Sequence, residues 1–160
     1  MTNYQVITKT GFAQKSWKRN PDFLFASKDL ACPLGASELP RAAMGMPLAF
    51  LCNDGEYSVA GIQGLEDGSN CYLGAGGAWR GSYVPAAYRG YPFVLASNNA
   101  NKEELILCID TDSGLLNDDD SAEPFFGKDG ELSPTIAALT EFLTSVASAH
   151  KAAALICKSL

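Results

Sequence analysis

The clearest hydrophobic pattern in the chain lies at its C-terminal end, where the spacing follows the turns of an α-helix. Apolar residues, joined by the only histidine, recur there at alternating intervals of four and three, which places them on one helix face. The stripe consists of Leu139, Leu143, Val146, His150, Ala153, Cys157 and Leu160. Ser133 suits the N-cap and Pro134 the first helical position. The pattern predicts a long helix from Pro134 to about Leu160.

Shorter apolar runs upstream predict β-strands. Residues 47–52 form an apolar run of strand length that ends at an Asn-Asp-Gly turn, and residues 57–65 return as a second strand. Residues 92–96 and 104–109 are predicted to form two further strands. The second of these is apolar on both faces, which favours a central position in its sheet. Residues 23–25, Phe-Leu-Phe, are also predicted to form a short strand.

These elements together predict an α+β fold with a mostly antiparallel β-sheet. Short helices occupy the connections, one within residues 37–43 with Ser37 as its N-cap and another within residues 84–89. The long C-terminal helix is expected to pack on the sheet or on a partner. A chain of 160 residues with 47% hydrophobic residues fits one domain with its own core. We expect residues 1–20 to form an N-terminal arm and residues 21–160 a single domain.

Charge is distributed unevenly along the chain. The net charge is −6 at pH 7, with a net of +1 over residues 1–99 and −7 over residues 100–160. General binding to nucleic acid or to anionic lipid requires a basic surface, so neither is expected. The first twenty residues lack the apolar core of a secretory signal, and no stretch reaches the roughly 18 apolar residues of a membrane span. We therefore expect a cytoplasmic protein, or part of an assembly built in the cytoplasm.

Five cysteines are spread along the chain without a Cys-x-x-Cys pair. An odd and widely spaced set matches neither a disulfide framework nor a structural zinc site. Reduced thiols in a cytosolic protein are the simplest interpretation. Cys52 and Cys108 lie within apolar runs, so both are expected to act as small hydrophobic residues of the core.

Catalytic and metal-binding motifs are sparse. His150 has no serine or cysteine motif near it, so a structural or interface role is favoured over a catalytic dyad. Asp110 and Asp112 begin an acidic segment like a calcium-binding loop, but Gly114 comes one position early and Ser121 replaces the usual glutamate. A solvated acidic loop is favoured over a calcium site there. We expect no cofactor and no enzymatic activity.

The segment 79–93 is rich in aromatic rings, arginine and glycine. Tyrosine and tryptophan offer flat apolar faces with polar tips, and arginine stacks on rings and binds carboxylates. Such groups recognise carbohydrate or peptide ligands, and they also pack the edge of an ordinary core. The candidate binding residues are Trp79, Arg80, Tyr83, Tyr88, Arg89 and Tyr91. The glycines and prolines between them favour the structural interpretation, and the ligand-binding alternative stays open.

A series of short motifs gives the chain a family resemblance. The most specific piece is Tyr-Val-Pro-Ala at residues 83–86, followed by Tyr-Arg-Gly-Tyr-Pro-Phe at residues 88–93. The other pieces are Pro-Leu at 33–34, Ser-Glu-Leu-Pro-Arg-Ala-Ala at 37–43, Pro-Leu-Ala-Phe at 47–50, Gly-Leu at 64–65, Asn-Cys-Tyr-Leu at 70–73, Gly-Ala-Trp-Arg at 77–80 and Cys-Ile-Asp at 108–110. Taken together, these motifs resemble the SapC family of bacterial proteins.

The resemblance implies a biological context, surface-layer export, but no particular reaction. The SapC family is named for a protein linked to surface-layer export, many members are of unknown function, and no catalytic residues carry over to this chain. We therefore expect a non-enzymatic structural or protein-interaction module, linked to a surface layer, its export or a larger macromolecular assembly. It would bind a protein partner or self-associate through the C-terminal helix. The alternative is an accessory protein that binds a small molecule or a glycan through segment 79–93.

Overall fold

The computed structural model describes residues 3–66, 68–98, 104–119 and 121–158. Its strands are β1 (Tyr4–Val6), β2 (Ser16–Trp17), β3 (Ala31–Pro33), β4 (Leu48–Asn53), β5 (Glu56–Ile62), β6 (Phe93–Ser97), β7 (Leu105–Asp110), β8 (Leu116–Asn117) and β9 (Glu123–Pro124). Its α-helices are α1 (Lys9–Phe12), α2 (Leu39–Ala42), α3 (Ala86–Arg89) and α4 (Pro134–Cys157). Single 3-10 turns span Leu24–Ala26, Ala36–Glu38, Ala75–Gly77 and Thr111–Ser113. The strands form three small antiparallel sheets, which confirms the predicted α+β class.

The described chain divides into two compact units, each assembled from two separate stretches of sequence. The first unit takes in Met1–Asn20 and Gly90–Thr144, and the second takes in Pro21–Arg89 and Ser145–Leu160. Helix α4 therefore gives its first half to one unit and its second half to the other. The expected division into an arm and a single domain stays a prediction.

Strand β7 is the centre of the first unit. It pairs with β6 on one side and with β1 on the other, which confirms the central strand predicted at residues 104–109. A second small sheet places β2 between β8 and β9. Residues of the expected N-terminal arm thus supply β1, α1 and β2 to this unit. The buried members of its core are Phe12, Trp17, Phe93, Ile109, Phe125, Ile136 and Leu143.

Strand β5 is the centre of the second unit and lies between β3 and β4. The Asn-Asp-Gly turn joins β4 to β5, as the sequence predicts, and the two strands pair from Leu48↔Gly61 to Asn53↔Glu56. Val59 is buried in the middle of β5, where it belongs to the same hydrophobic cluster as residues of α4.

Helix α4 confirms the predicted C-terminal helix. Ser133 Oγ accepts a hydrogen bond from the Ile136 N–H at 3.4 Å, and Pro134 begins the helix, which ends at Cys157. Leu160 lies outside the described residues. An N-cap hydroxyl and an N-terminal proline together satisfy or remove backbone donors that the first turn leaves unpaired.

The predicted stripe of α4 faces the interior of each unit. Leu143 is buried in the core of the first unit, and Ala153 and Cys157 are buried beside Val59 in the second. The helix therefore packs on the protein's own sheets, as the spacing predicts. Across the described ranges, α4 and the shorter helices all fall short of the length and apolar character that a membrane crossing requires.

The predicted strand at residues 23–25 is wrong. This stretch enters the 3-10 turn Leu24–Ala26, in which the Ala26 N–H donates to the Phe23 C=O at 3.0 Å. Asp22 Oδ1 also accepts a hydrogen bond from the Leu24 N–H at 2.8 Å. These local hydrogen bonds use backbone N–H groups that in a β-strand would bond to a neighbouring strand.

Two further local predictions are wrong. Ser37 is not an N-cap, because the 3-10 turn at Ala36–Glu38 begins after Gly35 and leaves Ser37 exposed within it. Cys52 is exposed, because it lies at the turn end of the β4–β5 hairpin, where residues 52–57 are all exposed, whereas Cys108 is buried as predicted. All five cysteines are free.

Candidate functional site

The most connected polar group of the second unit is the carboxylate of Glu38. It lies where the 3-10 turn Ala36–Glu38 meets α2, and only 6% of the residue is exposed. Its Oε1 accepts a hydrogen bond from the Gly35 N–H at 2.8 Å. Its Oε2 accepts one from the Tyr83 hydroxyl at 2.6 Å and one from the Ala86 N–H at 2.9 Å. A buried carboxylate needs such partners, and here they join two distant stretches of sequence.

These contacts fix the protonation states of Glu38 and Tyr83. Burial alone would raise the pKa of Glu38, but His150, Tyr83 and the two backbone N–H groups favour the carboxylate and lower this pKa to about 2. Burial and the hydrogen bond to Glu38 raise the pKa of Tyr83 to about 12. Glu38 is therefore ionised and Tyr83 neutral at pH 7. Neither has the pKa near neutrality that suits a general acid or base.

His150 of α4 stands beside the same carboxylate. Its Nε2 lies 3.8 Å from Glu38 Oε1, which exceeds hydrogen-bond distance but permits an ion pair when the imidazole is protonated. Within the described residues this buried nitrogen has no hydrogen-bond partner. We call Gly35, Glu38, Tyr83, Ala86 and His150 the Glu38 cluster. None of its described hydrogen bonds joins His150 to a serine or cysteine, as a nucleophilic dyad requires.

Gly35 allows α4 to approach the Glu38 cluster closely. A Cβ atom added at Gly35 would lie 2.7 Å from the Ala149 Cβ and 3.0 Å from the His150 Cδ2. Real Cβ atoms do not approach a neighbour so closely without displacing it. The absence of a side chain at residue 35 therefore lets the helix lie directly against the 3-10 turn.

A second polar cluster surrounds the Tyr88 hydroxyl. This oxygen lies 2.7 Å from Asp29 Oδ2 and 2.7 Å from Gln63 Oε1, so one hydroxyl hydrogen faces two acceptors. Asn70 Nδ2 donates to the same Gln63 oxygen at 3.1 Å and to the Ala26 C=O at 3.0 Å. Burial, with charges on neighbouring groups, raises the pKa of Tyr88. Tyr88 is therefore a neutral hydrogen-bond donor that ties three separate segments together.

Trp79 is enclosed by other rings. Its indole stacks on Tyr72 with a centroid distance of 5.3 Å and an interplanar angle of 16°, and it packs edge-on against Tyr88 at 5.8 Å. Phe23 contacts it at 5.5 Å in a tilted geometry. Its Nε1–H donates to the Tyr83 C=O at 2.8 Å. Both the ring and the polar tip of Trp79 thus contact groups of the second unit.

The two candidate arginines lie at the surface, against neighbours of their own unit. Arg89 holds its guanidinium 5.9 Å from the centre of the Tyr83 ring, and one of its nitrogens donates to the Tyr83 hydroxyl at 3.5 Å. Arg80 crosses Gly74 so closely that a Cβ there would lie 2.7 Å from the Arg80 Nε. Both residues are exposed.

Tyr91 belongs to the first unit, whereas the other candidate residues belong to the second unit. Its hydroxyl donates to Asp110 Oδ2 at 3.4 Å, while Asp110 Oδ1 accepts the Asp112 N–H at 3.1 Å. Asp110 therefore caps the 3-10 turn Thr111–Ser113. In the part of the chain that the structure describes, no group of three or more His, Cys, Asp or Glu side chains could hold a metal ion.

The comparison with protein families identifies the family of the chain. The family model SapC matches residues 7–160, which is nearly the whole chain. The chain belongs to the SapC family. Neither the curated proteins nor the solved structures contain a match to it.

Several of the short motifs that resemble the SapC family contribute residues to these two polar clusters. Glu38 comes from the motif at residues 37–43, and its carboxylate receives Tyr83 and Ala86 from the motif at residues 83–86. Asn70 and Trp79 come from two further motifs, and both contact the Tyr88 region. In this SapC-family chain the motif residues thus bind one another.

Sequence reasoning missed the residues that complete these clusters. Glu38, Asp29, Gln63 and Asn70 were not among the candidates, although each is bonded to one of them or to its neighbours. One local signal was available for Glu38, because it stands three residues after the Gly35 N-cap, the position from which a glutamate side chain reaches back to the N-cap N–H. For Gln63 and Asn70 the sequence carries no comparable local signal.

Proposed function

We propose that this SapC-family chain is a non-enzymatic protein-interaction module that works within a larger protein assembly. The observation that carries the proposal is the internal use of segment 79–93. The ring and indole N–H of Trp79, the hydroxyl of Tyr83 and the hydroxyl of Tyr88 all bind groups of the same unit. A ligand-binding segment would instead present such groups to an open site. The segment therefore supports the fold, and the function is assigned to other surfaces.

The electrostatics of the Glu38 cluster support a non-enzymatic role. The pKa of Glu38 is lowered to about 2 and the pKa of Tyr83 is raised to about 12, so neither group changes protonation near pH 7. The polar side-chain atoms of both residues are also hydrogen-bonded within the cluster, where Glu38 accepts from the backbone N–H groups of Gly35 and Ala86 and from the Tyr83 hydroxyl. These are properties of a structural cluster more than of an acid–base pair.

Exposed apolar side chains supply surfaces for protein partners. Leu155 is 63% exposed near the end of α4, between Ala153 and Cys157 in sequence but on a different face of the helix from these buried residues. We propose that a protein partner contacts the end of α4 around Leu155. A partner, rather than a nucleic acid, agrees with the net charge of −6.

We further propose that the protein works in the cytoplasm or on an assembly built there. The five free cysteines support a reducing compartment. The link to a surface layer or to its export rests on the family alone.

A site-specific photo-crosslinking experiment in the producing cells tests the proposal. A photoreactive phenylalanine analogue replaces Leu155, and the matched control carries it at Lys128, an exposed polar turn residue. We expect one discrete protein adduct from position 155 and none from position 128.

The outcome against the proposal is equally specific. It is a glycan or small molecule that binds saturably to the wild-type protein and fails to bind an Arg89→Ala variant of unchanged melting temperature. If position 155 then gave no protein adduct, the accessory ligand-binding function would replace the interaction module.

A further inference from the structure

Strand β4 presents a long unpaired edge. It pairs with β5 through all six of its residues, and no other strand in the described part of the chain pairs with its outer side. The opposite edge of the same sheet is β3, which is only three residues long and ends with Pro33. An unpaired strand edge carries backbone donors and acceptors that can extend the sheet into another chain.

The hydrogen bonds of β5 show which groups of β4 point outward. The Ile62 N–H donates to the Pro47 C=O at 2.8 Å, so residue 47 bonds inward to β5. The Leu34 N–H donates to the Val59 C=O at 3.0 Å, so Val59 uses its backbone groups toward β3 and not toward its partner on β4. Antiparallel pairing alternates with a period of two. The residues that aim their N–H and C=O groups away from β5 are Leu48, Phe50 and Cys52.

Charge is absent from this edge. No Lys, Arg, Asp or Glu occurs between Arg41 and Asp54, although the whole chain carries a net charge of −6. Phe50 is 57% exposed at the middle of the strand. Proteins that keep a strand edge unpaired usually place charges, proline or a bulge along it, and β4 contains none of these.

We propose that β4 is a self-association edge that pairs antiparallel with β4 of a second copy of this chain. The inference rests on the proposed interaction function and names one of its partners. A two-fold axis at Phe50 engages all three outward-facing positions. It places Phe50 opposite Phe50 of the second copy, and Leu48 opposite Cys52 of the second copy. The two three-stranded sheets then form one continuous sheet of six strands.

The uncharged edge favours a second copy over a partner of another kind. In the two-fold register Asp54 falls opposite Met46 of the second copy, so no like charges meet along the seam. A partner selected by opposite charge would find no side chain to pair with between Arg41 and Asp54. One pair of strands contributes less than the roughly 1,600 Å² of a standard interface, so the dimer should be reversible and concentration-dependent.

Disulfide trapping reads the register directly. The two exposed cysteines are first replaced, Cys52→Ser and Cys71→Ser, and Phe50→Cys is added to that background. In the proposed register the two residues at position 50 form a hydrogen-bonded pair with Cα atoms about 5.5 Å apart, which suits a disulfide. We expect a covalent dimer on mild oxidation of the full-length protein.

Tyr57→Cys in the same background is the matched control. Tyr57 lies on β5 and is 46% exposed, close to the value for Phe50. In the proposed dimer the two residues at position 57 are three strand spacings apart across the sheet, about 14 Å, and are also offset along the strands, so no disulfide can join them. Equal cross-linking of both variants would indicate random collision and would overturn the proposal.

Sedimentation velocity tests the same edge without a cross-link. The wild-type protein should shift from monomer to dimer with rising concentration, and Phe50→Lys should stay monomeric over that range. Leu65→Lys is the control, because Leu65 is 91% exposed and belongs to the same unit outside the strand. It should dimerise like the wild type.

The results separate this inference from the proposed function. A wild-type protein that stays monomeric, and whose Phe50→Cys variant does not cross-link, overturns self-association at β4. If the probe at residue 155 still captures a host protein in that case, the interaction module stands without the dimer. If that adduct is also missing, the proposed function fails as well.

Discussion

The Glu38 cluster and the β4 edge lie in the same unit but differ in how their polar groups are bonded. Glu38 accepts three hydrogen bonds from its own chain, and its motif neighbours are equally engaged. Along β4 the outward-facing backbone groups have no strand beside them in the described residues, and Phe50 stands in solvent. The aromatic and polar motifs thus bind groups of their own unit, whereas the uncharged strand β4 carries the edge at which we propose contact with another chain.

The largest effect should come from removing the carboxylate of the Glu38 cluster. Glu38→Ala leaves the Gly35 and Ala86 N–H groups and the Tyr83 hydroxyl without their acceptor, at a cost of about 3–5 kcal/mol in the free energy of unfolding. Glu38→Gln keeps the shape and one acceptor oxygen and should cost less. Urea denaturation of both variants measures the difference. Wild-type stability for Glu38→Ala would mean that the cluster does not hold the unit together.

Acid should weaken the same cluster in a defined window. The pKa of Glu38 falls from 4.5 to about 2 on folding, so its stabilisation is complete above pH 4.5 and is lost as the pH falls toward 2. Allowing for partial screening by solvent, the loss is about 2 kcal/mol. Denaturant unfolding between pH 7 and pH 2 should therefore show a steeper decline for the wild type than for Glu38→Gln. Parallel curves would contradict the depressed pKa.

Removing one donor should have a smaller effect than removing the acceptor. Tyr83→Phe deletes the hydroxyl but leaves Glu38 with its two backbone N–H donors, so the expected cost is about 1 kcal/mol. Its melting temperature should fall between those of the wild type and Glu38→Ala. A loss of stability as large as that of Glu38→Ala would show that the Tyr83 hydroxyl provides most of the stabilisation of the Glu38 cluster.

The smallest effect should come from the edge strand. Phe50→Ser removes an exposed ring and should change the stability of the monomer by less than about 0.5 kcal/mol. Phe93→Ser provides the contrast, because Phe93 is buried in the first unit and its loss should cost several kcal/mol. Thermal unfolding at low protein concentration, where association does not contribute, measures both. A large loss of monomer stability for Phe50→Ser would mean that Phe50 belongs to the hydrophobic core and that β4 is not an available edge.

Features with a local sequence signal were predicted well. The Asn-Asp-Gly turn located β4 and β5, the doubly apolar run located β7, and the four-three spacing located α4. The strand at residues 23–25 failed because Asp22 closes a local turn that apolar composition does not reveal. The exposure of Cys52 was missed because a strand's apolar composition does not show which end of a hairpin lies outside the core.

The polar clusters could be predicted only in part. Tyr83 and Tyr88 were recognised as special residues, but their partners Glu38 and Gln63 were not. Tyr83 and Glu38 are 45 residues apart in sequence, and Tyr88 and Gln63 are 25 apart. Hydrogen bonds between such distant positions produce no periodic pattern, so a single sequence cannot pair them.

The discontinuous build of both units has a consequence for protein synthesis. The first unit needs β1 beside β7, and the second needs Ala153 and Cys157 of α4 beside Val59. A nascent chain leaving the ribosome therefore carries β4 and β5 while residues 63–152 are still being added, before Ala153 and Cys157, which pack beside Val59, are made. Contacts of such long range slow folding and leave apolar strands open to other chains in the meantime. The uncharged β4 is thus most vulnerable to premature association while it is still being made.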